Sequence, residues 1–241
     1  MTTRREVLAS IGGIATASAL GAPIRSLVGA TNSMATVSPG QLDTPYVKKG
    51  LVALWDGKTL VAGEQWTDVV GGRVLNAPLS WSENGSLYTT NSAATVSLKM
   101  DLGKTYTIEV CKATDGMDWS ERPVFKANNS NTRVTGVYYS YYNWWGYYNL
   151  ANKVGVNYAN NSWRGHRNFV ASIDGSSAFF YCYANGIYKV KVTLSNPLPI
   201  DNITFFGEKN ARYYCIRIYK RTLTESEIES NSKIDMERFG I

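Results

Sequence analysis

The sequence predicts an all-β fold, a β-sandwich or β-barrel that ends in a short helix. Strand-like runs follow one another from residue 51 to residue 220, and several alternate apolar and polar residues, as IYKVKVTL (187–194) does. Such alternation is typical of an antiparallel sheet with one buried face. Asp-Gly and Asn-Gly pairs, the usual residues of hairpin turns, separate the runs. Many short strands with turns between them and no intervening helices predict sheets packed face to face.

The C-terminal segment, LTESEIESNSKIDMERF, departs from this pattern and predicts a helix over 224–239. Thr224 and Glu227 have the spacing of a capping box, in which each residue satisfies a free backbone amide of the other. Leu223 and Ile228 stand where a hydrophobic staple would fix the entry of the chain. The residues expected to pack on the sandwich are Ile228, Phe239 and either Ile234 or Met236.

The N-terminus predicts export, and so a periplasmic, cell-surface or extracellular protein. Residues 1–22 begin with Arg4-Arg5, continue through a Gly- and Ala-rich apolar stretch and end in small residues, the layout of a signal peptide. The paired arginines resemble a twin-arginine export signal. Residues 23–46 are expected to be a linker before a domain at 47–241. An N-terminal helix of a cytoplasmic protein is the alternative, although two glycines in the apolar stretch disfavour it.

Composition excludes several classes of protein. The net charge of +6 is spread along the chain without dense basic runs, which argues against nucleic-acid binding. No apolar run reaches the ~18 residues of a membrane span, so no transmembrane segment is expected. The three cysteines lie in strand-like runs without a C-x-x-C pair, so we expect buried thiols rather than a zinc or redox site. They are Cys111, Cys182 and Cys215.

Three motifs, in this order, resemble laminin-G-like domains. GLVALWDG followed by EQWTDVVGG (50–57 and 64–72) is similar to the opening strand and W-x-D-x-x-G turn of that family. HRNFVASIDGSSAFFYCYANG (166–186) resembles its hairpin, and YYCIRIYKRTLTESEIESN (213–231) resembles its closing strand and helix. The resemblance covers about residues 47–241. It implies a concanavalin-A-like jelly-roll β-sandwich, a fold that carries lectins, adhesive domains and glycoside hydrolases.

The sequence does not support catalysis on that scaffold. A retaining glycosidase needs two carboxylates about 5 to 5.5 Å apart, which on a strand means acidic residues two or four positions apart. No strand-like run contains such a pair, and Glu109 is the lone acid of its run. His166 is the single histidine and has no Ser or Cys nucleophile motif near it. We therefore expect a protein that is not an enzyme, with a hydrolase as the less favoured alternative.

The tract YYSYYNWWGYY (138–148) is the strongest candidate for a ligand-binding surface. Tyr and Trp present large flat apolar faces with polar edges, which suits stacking on a sugar ring. We expect Asn143 and Gly146 to break the strand and leave the following rings around a turn. The stacking candidates are Tyr141, Trp144, Trp145, Tyr147 and Trp163, and the polar partners are Asn143, Arg164 and His166.

The role of these rings stays open between three alternatives. They could pack on one another, bind a polysaccharide or other glycan, or contact another protein in a structural or adhesive role. Carbohydrate is the leading ligand class. No cofactor is required, and calcium, which related domains often carry, has only weak candidates in Asp174 and Asp201-Asn202.

Overall fold

The chain forms two antiparallel sheets and a C-terminal helix in a computed structural model. The structure describes residues 44–59, 65–75, 80–82, 86–89, 95–114, 122–129, 132–140, 144–149, 152–157, 165–175, 177–183, 187–193, 199–206 and 211–241. All of them belong to one unit, residues 35–241. The predicted signal peptide, 1–22, and residues 23–43 of the predicted linker lie outside the described residues.

The described residues form strands β1 to β16 and helix α1. In chain order they are β1 (Leu51–Asp56), β2 (Trp66–Thr67), β3 (Val74–Leu75), β4 (Ser80–Ser82), β5 (Ser86–Thr89), β6 (Thr95–Gly103), β7 (Thr105–Thr114), β8 (Arg122–Asn129), β9 (Thr132–Ser140), β10 (Trp144–Asn149), β11 (Asn152–Asn157), β12 (Gly165–Asp174), β13 (Ser177–Tyr183), β14 (Ile187–Thr193), β15 (Ile200–Phe206), β16 (Ala211–Tyr219) and α1 (Glu225–Phe239).

Most strands belong to two sheets. The larger sheet has the order β14-β13-β12-β7-β16-β5-β4, and β1 also pairs with β16. The smaller sheet has the order β11-β10-β9-β8-β15-β6, while β2 and β3 form a separate ribbon. β7 occupies one side of β16, so β5 and β1 share the other side, β5 along 211–213 and β1 along 215–219. Non-consecutive neighbours of this kind are the crossovers expected of a sandwich.

The main core lies between the two sheets, as alternation along the strands requires. Trp55, Ile108 and Phe169 of the larger sheet and Phe125 and Phe205 of the smaller sheet are all buried in one cluster. The rings of Trp55 and Phe205 meet edge to face, with centroids 6.4 Å apart, an arrangement that aromatic pairs favour. The predicted all-β sandwich with a short C-terminal helix is confirmed.

The predicted W-x-D-x-x-G motif forms a turn built around one buried carboxylate. Asp68 is 1% exposed and follows Trp66, which is also 1% exposed. The Asp68 carboxylate accepts hydrogen bonds, 2.7 to 3.0 Å long, from Leu54 N, Val70 N, Gly71 N and Arg73 Nη1. An acid is needed here because two carboxylate oxygens together can accept this many donors. The turn thereby ties the segment after β2 to β1.

Helix α1 begins and ends as its sequence predicts. The Thr224 side chain accepts a hydrogen bond from the Glu227 amide, and the Glu227 carboxylate accepts one from the Thr224 amide, which completes the capping box. Leu223 and Ile228 are both buried, as a staple requires. The helix ends at Gly240, whose φ of 65° is a left-handed conformation that suits glycine. Among the described residues, no helix is long and apolar enough to span a membrane.

The face that α1 packs on the larger sheet is more polar than its sequence indicates. Ile228 and Phe239 are buried, as expected, but Met236 is 43% exposed and Ile234 only partly buried. Of the two alternatives expected at this face, Ile234 packs against the buried cluster and Met236 does not. Asn231, Ser232 and Asp235 complete the buried face. A polar helix face can be buried because the sheet beneath it supplies matching polar groups.

Those groups form a buried ionic cluster centred on Arg217 of β16. Its Nε donates to Glu109 Oε2 at 2.6 Å, and Nη1 and Nη2 donate to the two Asp235 oxygens, also at 2.6 Å. Asn231 donates to Glu109 Oε2 at 2.8 Å, and the Tyr46 ring stacks on the guanidinium with its centroid 4.3 Å away. Burial raises the pKa of Glu109 above its ordinary value even beside Arg217. The cluster joins β7, β16, α1 and the segment before β1.

Two of the three cysteines lie beside this cluster as free, buried thiols. Cys111 of β7 and Cys215 of β16 are directly opposite in the strand register. Burial raises the pKa of both thiols well above the ordinary value, so neither forms the reactive thiolate at neutral pH. The expectation of buried thiols is confirmed for this pair, and the Cys182 side chain lies outside the described side chains.

The capping box gives the domain a measurable pH dependence. Arg221 donates two hydrogen bonds to Glu227, at 2.8 and 2.6 Å, and lowers the pKa of that carboxyl to about 2. A lowered pKa stabilises the fold above the unfolded pKa of about 4.3, and this contribution is lost as pH falls toward 2. Because the carboxylate is partly exposed, we expect it to contribute only about 1 kcal/mol.

The test compares the parent with Glu227→Gln by urea unfolding at several pH values. The difference in free energy of unfolding should be about 1 kcal/mol at pH 6 and should shrink steadily below about pH 4.3. Glu229→Gln is the control, because Glu229 pairs with Lys233 on the helix surface, 3.1 Å apart. A Glu227→Gln difference that stays constant with pH would contradict the expected linkage.

Candidate functional site

The predicted aromatic site lies partly within the described residues. Trp144, Trp145 and Tyr147 lie in β10 of the smaller sheet, and His166 lies near the start of β12 in the larger sheet. The remaining candidates lie outside the described residues: Tyr141, Asn143, Trp163 and Arg164. Three of the four described candidates thus lie in β10.

The expected turn around Trp144 and Trp145 is wrong, because these residues are part of a strand. β10 pairs with β9 on one side and with β11 on the other. Gly146, expected to break the strand, lies opposite Tyr138 of β9 and Gly155 of β11. Pairing on both sides fixes its backbone, and the flanking Trp and Tyr residues are strong strand formers, so the sheet overrides the low propensity of one glycine.

The strand register divides the candidate rings between two faces of the smaller sheet. Val137 lies opposite Phe125, which is 0% exposed in the core. Residues that alternate along a strand share a face, and so do directly opposite residues. Trp145 and Tyr147, which lies opposite Val137, therefore share the core-side face. Trp144 lies on the outer face, so the three residues do not form one site.

The outer face of β9 to β11 brings together aromatic, polar and glycine positions. Trp144 lies opposite Ser140 on one side and Asn157 on the other, and Tyr148 lies opposite Lys153. The outer-face positions, taken together, are Gly136, Tyr138, Ser140, Trp144, Gly146, Tyr148, Lys153, Gly155 and Asn157. We call this set the aromatic platform.

Two paired glycines lie at the centre of the platform. Gly146 and Gly155 are cross-strand partners, and neither has a side chain to fill the space above the sheet. Trp144 and Tyr148 stand on either side of Gly146, about 13 Å apart along β10 at the usual strand rise. Glycine inside a strand weakens it and often marks a place where a ligand approaches the backbone. The register thus places aromatic positions, Ser140 and Asn157 around the two glycines on one face of the sheet.

The outer faces of the two sheets differ in how they are covered. Helix α1 and residues 44–49 cover the larger sheet, where Val47 N donates to Asn231 Oδ1 and the Tyr46 ring stacks on Arg217. On the smaller sheet, Lys99 of β6 is exposed, and Ser97 and Thr204 share an exposed hydrogen bond of 3.0 Å. The outer face of the smaller sheet is therefore open to solvent at β6 and β15, next to β8.

His166 is not brought to the platform by strand pairing. It lies opposite Ala113 of β7, in the other sheet. However, the chain that carries Trp163 and Arg164 leaves β11 at Asn157, opposite Trp144, and enters β12 at Gly165. The chain that carries Tyr141 and Asn143 joins the last residue of β9 to Trp144. Both segments thus start or end beside one side of the platform.

Sequence reasoning missed most of the platform. Tyr138, Tyr148, Lys153 and the paired glycines were not candidates for the site, and Trp145 and Tyr147 were grouped with Trp144. The signal available was the hairpin between β9 and β10: once Trp144 is aligned with Ser140, alternation alone separates the two faces. Reading Gly146 as a break removed that alignment.

The described residues offer no metal site. Glu109 is buried and bonded to Arg217 and Asn231, so it is part of the ionic cluster under α1. No group of three or more His, Cys, Asp or Glu within the described ranges is placed to hold a metal ion. Asp174 accepts a 2.6 Å hydrogen bond from Ser177 N in the β12–β13 turn, and Asp201-Asn202 lie in β15 rather than in a loop.

Comparison with known proteins identifies the fold. No family model matches the sequence, and no curated protein matches it significantly. Among solved structures, Trypanosoma rangeli sialidase in complex with 2,3-difluoro-KDN matches with a TM-score of 0.61 and 16% identity, over 75% of this chain and 32% of the sialidase. The same sialidase in complex with the inhibitor DANA matches with a TM-score of 0.60 and 16% identity, over 80% and 34% of the two chains.

A second group of matching structures comes from a bacterial toxin. The binding domain of botulinum neurotoxin DC, in complex with rat synaptotagmin II, matches with a TM-score of 0.57 and 11% identity, over 76% of this chain and 51% of that domain. The chain thus spans about a third of the sialidase and about half of the toxin domain. At these identities the likeness establishes the shared fold.

Proposed function

We propose that this chain is an exported, laminin-G-like recognition domain that binds a carbohydrate on the aromatic platform and does not catalyse a reaction. The observation that carries the proposal is the platform itself, three aromatic positions around two paired glycines on the outer face of the smaller sheet. The hydrogen-bonded W-x-D-x-x-G turn and the capped C-terminal helix support the resemblance to laminin-G-like domains. Export rests on residues 1–22, which have the composition of a signal peptide.

Two glycine positions surrounded by aromatic positions suit a sugar better than they suit a bulky apolar ligand. A sugar ring has a flat face of C–H groups, which stacks on Tyr or Trp, and a rim of hydroxyls, which needs partners such as Ser140 and Asn157. One matching structure is Trypanosoma rangeli sialidase in complex with sialic acid, while the matching toxin domain is in complex with rat synaptotagmin II. Binding of a protein is therefore the alternative that the experiment must distinguish from binding of a carbohydrate.

The decisive variants change one face of β10 at a time. Trp144→Ala removes an aromatic wall from the outer face, and we expect at least a tenfold loss of glycan affinity, since one aromatic stacking contact is worth about 1 kcal/mol or more and burial adds to it. The unfolding midpoint should change little. Trp145→Ala removes a ring from the core-side face, and we expect a loss of stability of about 3 kcal/mol. Calorimetric titration and thermal unfolding measure the two effects.

Together, Trp144→Ala and Trp145→Ala distinguish a role of the outer rings in ligand binding from a role in packing. If Trp144→Ala destabilises the domain as much as Trp145→Ala does, the outer rings pack against the rest of the chain and the proposal fails. A panel in which the parent binds no glycan would also overturn it. In that case, capture of a protein that Trp144→Ala abolishes would identify the platform as a protein-binding surface.

A further inference from the structure

An irregularity in the pairing of β7 with β16 brings Cys111 and Cys215 opposite each other. Tyr213 of β16 lies opposite Lys112 of β7. In a regular antiparallel ladder, the next residue, Tyr214, would therefore lie opposite Cys111. A register shift after Tyr213 instead places Cys215 at that position. Such a bulge adds one residue to a strand and redirects the side chains that follow it, so here it aligns the two cysteines.

The backbone separation expected of this pair suits a disulfide. Residues directly opposite each other in an antiparallel pair have Cα atoms about 4.5 to 5.5 Å apart. A disulfide forms without movement of the backbone when the Cα atoms are about 4.4 to 6.8 Å apart, so the pair falls within that range. Cys111 and Cys215 belong to one buried cluster, which also contains Ile228 and Phe239 of α1, so both side chains lie on the outer face of the larger sheet.

The third cysteine occupies the other face of the same sheet. Cys182 of β13 lies opposite Phe169 of β12, which is buried in the main core between the two sheets. Because directly opposite residues share a face, the register places Cys182 on the core side and the other two cysteines under α1. The fold therefore selects the pairing of Cys111 with Cys215 from those that three cysteines allow.

We propose that Cys111 and Cys215 are a modification site, which closes to a cross-strand disulfide when the chain folds in the presence of a disulfide oxidant such as oxidised glutathione. One cysteine thiolate attacks the oxidant, forms a mixed disulfide and releases one glutathione thiolate. The second cysteine thiolate then displaces the remaining glutathione and forms the Sγ–Sγ bond. The two cysteines lose two electrons and two protons, and the oxidant takes them up to become two thiols.

The reaction takes place before the outer layer, which consists of α1 and residues 44–49, closes over the larger sheet. In the closed domain, Arg217 Nη1 donates to Cys215 Sγ at 3.3 Å, and burial raises the pKa of both thiols, so exchange is slow. Before closure, the thiols are exposed, with an ordinary pKa of about 8.5, and can exchange. The proposed export would supply an oxidising compartment at this stage, while the pairing itself depends neither on export nor on glycan binding.

The experiment refolds the full chain from urea in two buffers, one with reduced and oxidised glutathione and the other with excess reductant. Free thiols are then alkylated, and tryptic peptides are identified by mass spectrometry. After oxidative refolding, residues 105–112 should be joined to residues 213–217, and Cys182 should be alkylated. Because the bond closes a loop of roughly 100 residues in the unfolded chain, the urea midpoint of the oxidised form should be about 1 M higher than that of the reduced form.

Two alanine variants locate the bond. Cys182→Ala should keep both the cross-link and the midpoint shift, whereas Cys111→Ala should lose both. A cross-link to Cys182, or no cross-link in the parent and in Cys182→Ala, would overturn the inference. A bond between residues 111 and 215 that leaves the midpoint unchanged or lowers it would also overturn it, because the native register would not accommodate the bond. Cell fractionation tests the proposed export separately, and its outcome does not alter the refolding result.

Discussion

Replacing Arg217 with alanine is expected to lower the free energy of unfolding by about 4 kcal/mol, because it leaves two buried carboxylates without their counter-charge. Arg217 and Glu109 are 0% exposed, and Asp235 is 1% exposed, so water cannot replace the lost hydrogen bonds. A change of this size is a large part of the 5 to 15 kcal/mol that typically stabilises a domain. Guanidinium unfolding at neutral pH measures it directly.

Two further variants test whether the geometry of the guanidinium matters. Arg217→Lys keeps the charge but cannot donate to both Asp235 oxygens and Glu109 at once, so we expect an intermediate loss. Arg221→Ala is the surface control, because its bidentate partner Glu227 is 29% exposed, and it should cost about 1 kcal/mol. If Arg217→Ala costs no more than Arg221→Ala, the buried cluster does not stabilise the domain.

Replacing Asp68 with alanine is expected to cost about 3 kcal/mol or more. The carboxylate is the acceptor for three backbone amides and for Arg73, and an unsatisfied buried amide costs about 1 to 3 kcal/mol. The Leu54 amide lies in a buried strand, so the loss of its hydrogen-bond acceptor should make the largest contribution to this cost. Thermal and urea unfolding of Asp68→Ala give the value.

Asp174→Ala serves as the comparison for Asp68→Ala. Asp174 also caps a turn through a backbone amide, Ser177 N at 2.6 Å, but it is exposed, so water can replace its oxygen. We expect a cost below 1 kcal/mol at this position. Equal costs for the two substitutions would show that the W-x-D-x-x-G turn depends on its backbone alone.

Local sequence signals predicted those parts of the fold that depend on neighbouring residues. The capping box of α1 and the Asp-Gly turn between β12 and β13 involve residues at most a few positions apart, so their geometry follows from the chain itself. The two-residue alternation of the long strands likewise predicted a sandwich. In β16 it could not show that Arg217 is buried, because that burial depends on α1 folding back over the outer face.

The candidate site was predicted less well because it depends on register. The sequence identified the aromatic tract and Trp144, but it took Gly146 for a break and therefore could not assign the rings to faces. The segments that form β8 and β11 carry weak strand signals, since RPVFKANN contains a proline and NKVGVN contains a glycine. These segments become strands because they pair with β9, β10 and β15, although their own strand propensities are low.

The pairing of β1 with β16 has a consequence for how the chain reaches this structure. β1 begins at Leu51, and its partner in β16 extends to Tyr219. The first long strand of the domain therefore cannot pair until the last strand is available. Contacts between such distant residues slow folding, since a long loop must close before they form. During synthesis, the apolar side chains of β1 remain without their sheet partner until the final strand has left the ribosome. Transient protection by a chaperone would be most useful in that interval.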